Sequence, residues 1–390
     1  MSVKNIMILE RVEDYWNWEK LIQHSQTIDG LSPFEKEKVK RAFQFLRGEL
    51  GEEFLKDAFG EEHPICNYII NLAPWTRKWI IWFAEALNEL KNQENYSSLL
   101  NRIRDKTRFE EGVSILEIGF KFSKAGFRIT IDPTIEISKV KKTPDLKLID
   151  KNTGEELFVE ISQMGTSEIE EQALQTMRAI TNILWQSIPF TYYCGRIHKT
   201  LSKRHLDEVV KKVEETFEKV KRDGSFHELL IEDVIEIGIA PEKDKEVLEK
   251  WASDKGLHVG EFIGPSFDVN ETLRTKRALR EEQKQLPQEY PNIVVIKNND
   301  LFFRTHDIRK AIDELEEEVY EHPHLLFGII SEKHLGMTQD ISFMKDQHVY
   351  LEKGRTGLFV EKYIILLNRF CEHKISSAVI SKIYNSFKNY

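Results

Sequence analysis

The chain has 390 residues, room for two or three domains, and its 41% hydrophobic and 31% charged residues exclude a long disordered polymer. With 56 basic against 65 acidic residues the net charge is −9. That excludes a non-specific nucleic-acid coat, so any contact with nucleic acid has to come from local basic patches.

The first residues reach charge at Glu10-Arg11, too early for a signal peptide. The apolar stretch Trp79–Ala84 is closed by Lys78 and Glu85 and falls short of a membrane span. Cys66, Cys194 and Cys371 never stand in C-x-x-C spacing, which fits a reducing compartment and argues against a cysteine-built zinc site. A cytoplasmic protein with no membrane partner is expected.

Residues 1–108 read as helical. Trp75, Trp79, Trp82, Phe83, Leu87 and Leu90 recur at helical steps, as do Leu99, Leu100 and Ile103, and this pattern is that of core packing. Pro64 and Pro74 are placed to start helices. A helix is predicted from about Arg108 to Ala125, stopped by Gly126. In the strand that follows, Phe127, Ile129 and Ile131 alternate with Arg128, Thr130 and Asp132.

A hairpin comes next, from Thr143-Pro144-Asp145 through a turn at Lys151–Gly154 to Gln163. Leu146 and Leu148 share one face of its first strand, and Leu157, Val159 and Ile161 share one face of its second. Asp145 and Lys147, and Phe158, Glu160 and Ser162, therefore share the other. Two carboxylates on rigid neighbouring strands are what a hard divalent cation needs.

Thr166 or Ser167 is predicted to cap a helix with the stripe Ile169, Ala173, Met177, Ile180 and Leu184. Residues 188–260 hold a charged helix with Val210, Val213, Phe217 and Val220 on one face, the strand Val234–Ile239, and a solvated Glu/Lys run over 242–250. Asn270 opens a helix ending near Leu286-Pro287, and Ile293–Ile296 fits a buried central strand. A helix from Thr305 to about Glu321, strands over Leu325–Ile330 and Val360–Leu367, and a last helix from Ser376 complete the chain.

These parts resemble the PD-(D/E)xK nuclease superfamily, which includes many restriction enzymes and Holliday-junction resolvases. The likeness rests on a glutamate-bearing helix, the strand Phe127–Ile131, Pro144-Asp145, Glu160-Ile161-Ser162 in place of (D/E)-x-K, and the following helix and strand. It implies an α/β (α+β) fold: a restriction-endonuclease-like core with a mixed central sheet flanked by helices. The division expected is a helical N-terminal region over 1–108, the core over 109–300 with a helical insertion around 188–260, and a C-terminal α/β region over 301–390.

Residue by residue, the resemblance implies that Asp145 and Glu160 ligate Mg²⁺ or Mn²⁺ with the Ile161 carbonyl as third donor. Glu117 is the first choice for the family's helix glutamate, with Glu110 and Glu111 as alternatives. The implied activity is metal-dependent hydrolysis of a nucleic-acid phosphodiester, in restriction, repair or phage defence. DNA stands ahead of RNA as partner, and a homodimer is a further expectation.

Ser162 departs from the family, because a hydroxyl supplies no positive charge where the family has lysine. Lys147, on the face of Asp145, and Lys284, aligned with Arg274 and Arg277, are the candidates to replace it; the basic stripe reads equally as a solvated helix face. The alternative function is a catalytically silent member of the fold that binds nucleic acid or protein.

Basic clusters at Lys139, Lys141, Lys142 and Lys147, and at Arg196, His198, Lys199, Lys203, Arg204 and His205 beside Tyr192 and Tyr193, suit phosphate contact and base stacking. His322-Pro323-His324 reads as a loop or cap, and no phosphate-loop, dinucleotide, H-E-x-x-H or G-x-S-x-G motif occurs.

Overall fold

The computed structural model describes residues 12–137, 140–165, 167–185, 191–265, 270–298, 308–335, 339–355 and 359–389. Lys139, Thr166 and Thr305, named above, lie outside the described residues. The fold is mixed α/β. Its residues divide into two compact units, one of 1–165 with 271–390 and one of 166–270.

The first unit opens with helices α1 (Trp18–His24), α2 (Pro33–Leu50), α3 (Phe54–Gly60), α4 (Cys66–Ile70), α5 (Pro74–Leu90), α6 (Tyr96–Arg104) and α7 (Phe109–Lys124). Ser32 and Glu35 form a capping box around Pro33, which fixes the start of α2. Trp79 stacks between Tyr68 and Phe83, with ring centroids 3.8 and 4.8 Å away, so the tryptophan-rich stretch is core packing.

Strand β1 (Phe127–Ile131), the ribbon β2 (Ile135–Ile137) and β3 (Val140–Lys142), β4 (Leu146–Asp150) and β5 (Glu156–Met164) follow. The chain then enters the second unit, with α8 (Glu168–Trp185), β6 (Thr191–Ile197), α9 (Lys203–Asp223), β7 (His227–Ile231), β8 (Ile235–Pro241), α10 (Lys245–Asp254) and β9 (Phe262–Ile263). It returns through α11 (Glu271–Glu282), β10 (Asn292–Asn298), α12 (Ile308–Tyr320), β11 (Leu325–Leu335), β12 (Ile341–Lys345), β13 (His348–Arg355), β14 (Phe359–Leu367) and α13 (Ser377–Asn389).

The sheet of the first unit runs β1-β4-β5-β10-β11-β14-β13-β12. β1, β4 and β5 pair antiparallel, β5, β10 and β11 pair parallel, and the remaining strands pair antiparallel. The C-terminal strands thus extend the same sheet. The alternation expected of the hairpin holds. Leu146, Leu148, Leu157, Val159 and Ile161 join the core under α7, while Phe158 and Met164 join Val294, Ile296, Leu279 and Leu315 under α11 and α12.

Two expectations need correction. The helix after Gln163 does not complete this sheet's core: α8 belongs to the second unit, where Ile180 and Leu184 pack with Val213, Phe217 and Ile237. The helix packed on β5 and β10 is α11. The apolar stripe of α8 was readable, but a stripe does not say which core it joins. Nor is the insertion helical, because it carries a four-stranded sheet in the order β7-β8-β6-β9. In β6, Tyr-Tyr-Cys-Gly gives no period-two apolar signal.

Gly328 of β11 is required by close packing, since a Cβ there would stand 2.7 Å from Val319 Cγ2 of α12. Gly328→Ala is expected to cost about 1–3 kcal/mol through overpacking, measured as a lowered urea midpoint at unchanged slope. An unchanged midpoint would mean that α12 does not hold this position.

Candidate functional site

Register brings the two hairpin acids together. Leu146 pairs with Val159 across β4 and β5, so the next position outward sets Asp145 opposite Glu160. Both residues are only 8% exposed. Asp145 Oδ2 accepts the main-chain N–H of Ile161 at 2.8 Å, which locks its carboxylate against β5. Glu160 Oε2 is buried with no hydrogen-bond partner.

Burial is the main reason both carboxyls resist ionisation. Asp145 is pushed up to about 7, and only partly held back by the Ile161 N–H and by Arg102. Burial, then the Asp145 charge, then Glu282 on α11 push Glu160 up to about 9. At neutral pH the pair therefore keeps a proton unless a cation replaces it.

A buried arginine that sequence reasoning did not single out stands beside the acids. Its helix is pinned to the end of β1, because Asn95 Nδ2 donates to Ile131 O at 2.8 Å and Ser98 Oγ donates to the Asp132 carboxylate. One turn on, Arg102 Nη2 lies 2.7 Å from Asp132 Oδ1 and 4.0 Å from Asp145 Oδ1, and its Nε lies 2.9 Å from Glu111 Oε1. Asp132 has φ 48°, a left-handed backbone that its N–H bond to Asp145 O helps hold. The only sequence signals were Asp132 ending an alternating strand and an arginine inside a helical apolar pattern; neither indicates a meeting of the two.

Glu117 is placed differently. It faces Lys297 on the α7 side of the sheet, with Lys297 Nζ 2.9 Å from its Oε2 and Tyr363 OH donating to its Oε1 at 3.4 Å. Burial opposes its charge, but Lys297, Lys333 and Lys121 outweigh burial and hold the carboxyl well below its usual range. Lys297 pairs with Gln163, one strand face away from Glu160 and Ser162. Of the helix acids, Glu111 is the one whose charge acts on Asp145. Glu110 is raised by burial and eased by Lys297, and its carbonyl accepts from Gln163 Nε2 at 2.9 Å.

Neither candidate lysine is directed at the acids. Lys147 Nζ pairs with Glu156 at 2.9 Å, and Lys284 Nζ pairs with Glu281 at 2.7 Å on the exposed face of its helix end. Arg274 is held by Glu271 and by Gly165 O. Ser162 lies opposite Ile296, on the face of Glu160.

Several residues of the basic segments are also partnered. Lys142 Nζ donates to Lys284 O and Leu286 O, at 3.1 and 2.9 Å. In the second unit Tyr192 donates to Glu242 at 2.7 Å, Tyr193 OH accepts from Trp185 at 3.0 Å, and Arg196 and His198 both lie 3.7 Å from Glu236. His322 is 3.0 Å from Glu318, which fits the loop role.

Among the described residues, no three His, Cys, Asp or Glu side chains converge to hold a metal ion. Two carboxylates are nevertheless a sufficient protein contribution for Mg²⁺, which keeps several waters and takes substrate phosphate oxygens as ligands. The unpartnered Oε2 of Glu160 and the resistance of both acids to ionisation fit such an ion. Ile161, the expected third donor, gives its N–H to Asp145 while its side chain packs under α7.

The comparisons with family models, with curated proteins and with solved structures each returned no match. No helix among the described residues is long and apolar enough to cross a membrane.

The raised carboxyls give a pH signature. Folded Glu160 keeps a proton that the unfolded chain releases above its ordinary value of 4.5, up to about 9. Without metal, stability present at low pH is therefore lost as pH rises through that window, and Asp145 acts in the same direction. Glu160→Gln should flatten this decline in urea unfolding followed against pH. Parallel curves for the two proteins would show that Glu160 titrates normally.

Proposed function

We propose that the first unit carries a metal-dependent nuclease site of the PD-(D/E)xK type. The observation that carries this reading is the pair of Asp145, just before β4, and Glu160 on β5, both buried, with one carboxylate oxygen lacking a hydrogen-bond partner. The strands β1, β4 and β5, antiparallel, with β10 parallel to β5, support this reading, although α11 and not the helix after Gln163 packs on them.

Asp145 and Glu160 would hold the ion, and their burial would limit access of bulk water. A divalent cation supplies an acidified water and charge for the phosphoryl oxygens. Mg²⁺ and Mn²⁺ both suit an all-oxygen donor set. DNA remains the preferred substrate of this reading.

One observation favours a second reading, a silent member of the fold that binds nucleic acid or protein. Ser162 supplies no charge, and Lys147 and Lys284 are turned to Glu156 and Glu281.

Cleavage of plasmid, linear duplex, single-stranded DNA and RNA with Mg²⁺ or Mn²⁺ separates the two. The nuclease reading expects metal-dependent cutting, reduced at least about a hundredfold in Asp145→Ala and Glu160→Ala. Wild type and both variants behaving alike on every substrate would favour the silent module.

A further inference from the structure

A phosphodiester at a divalent cation brings negative charge as well as taking it up, so the site needs a cationic donor for the phosphoryl oxygens. The side chain that the fold brings to the acids is Arg102. It is 8% exposed, and its position is set by the pinning of α6 to the end of β1 through Asn95 and Ser98.

Its ion pairs run through Nε to Glu111 and through Nη2 to Asp132 and Asp145. Nη1 is buried and has no hydrogen-bond partner. A guanidinium serving only as a counter-ion to Glu111, Asp132 and Asp145 would leave Nη1 desolvated at a cost. Beside Asp145, two buried groups of opposite sign thus lack a hydrogen-bond partner: Nη1 of Arg102, whose Nη2 lies 4.0 Å from Asp145 Oδ1, and Oε2 of Glu160, which stands opposite Asp145 across the strand pair. A cation with its bound phosphodiester complements both at once, the cation meeting the carboxylate oxygen and a phosphoryl oxygen meeting the guanidinium. The planar fork of arginine matches phosphate geometry better than an ammonium does.

We propose that Arg102 is the phosphate-binding cation of this site, its Nη1 donating to a phosphoryl oxygen of the DNA strand held at Asp145 and Glu160. It supplies from α6 the positive charge that Ser162 lacks. This inference rests on the nuclease reading and adds to it a residue that the hairpin motif does not contain.

The test uses Ca²⁺, to support binding without turnover, and a short labelled DNA duplex. The full-length chain is compared as wild type, Arg102→Gln, Arg102→Lys and Asp145→Asn. Ca²⁺-dependent thermal stabilisation reports the metal site, and affinity against salt reports the phosphate contact. Arg102→Gln is expected to keep the Ca²⁺ stabilisation, to lose about tenfold or more in DNA affinity, and to lower the salt slope by about one.

Arg102→Lys, which preserves the charge beside Asp132, is expected to keep the slope but to lose several-fold in affinity with the fork. It decides the matter if Arg102→Gln does not fold. Wild-type affinity in either folded variant, with Ca²⁺ stabilisation intact, overturns the proposal and leaves Arg102 a counter-ion. No Ca²⁺ stabilisation in wild type, or the same stabilisation in Asp145→Asn, refutes the metal reading itself, and the inference falls with it.

Discussion

Two carboxyl groups are forced into one desolvated space, and the organisation around them follows from that constraint. The pairing of Leu146 with Val159 sets Asp145 against Glu160, and the Ile161 N–H keeps Asp145 from turning away. Neither acid reaches water freely, so their charge has to be met within the protein, by a proton or by a bound ion. Arg102 meets part of it from one side, while Glu282 on α11 adds to the demand from the other.

Helix α7 connects this region to a second cluster of opposite character. Glu111 in its first turn reaches Arg102, whereas Glu117 near its middle reaches Lys297 and Tyr363. The lysines around Glu117 favour its charged form, and the desolvation around Asp145 and Glu160 favours the neutral one. Acids on neighbouring elements are thereby driven in opposite directions, a pattern found where carboxyls carry different duties. Glu117 belongs to the ion network that ties α7 to β10 and β14, and Glu111 to the ion pairs of Arg102.

The hairpin was legible because period-two alternation is a local property. Leu157, Val159 and Ile161 on one face and Phe158, Glu160 and Ser162 on the other can be read without knowing the fold. Helix α7, stopped by Gly126, and strand β10, a continuous apolar run, were legible from signals that are equally local. What failed was long-range. Lys147 shares a face with Asp145, yet Glu156 across the strand pair captures its ammonium. Glu117 has the right spacing on its helix, but the helix turns it to Lys297. Arg102 is separated from Asp145 by α7, β1 and the β2–β3 ribbon, and no sequence periodicity reports that meeting. The stripe of α8 marked a real helix without revealing that it serves the core of the second unit.

In the proposed site the acid pair would hold a proton until a divalent cation took its place. Titration calorimetry of Mn²⁺ binding near pH 7, repeated in buffers of different ionisation enthalpy, counts the protons released. The prediction is about one proton released per ion in wild type, with binding lost in Asp145→Asn. Mn²⁺ binding with no proton release would contradict the shared proton, and no binding at all would contradict the metal site.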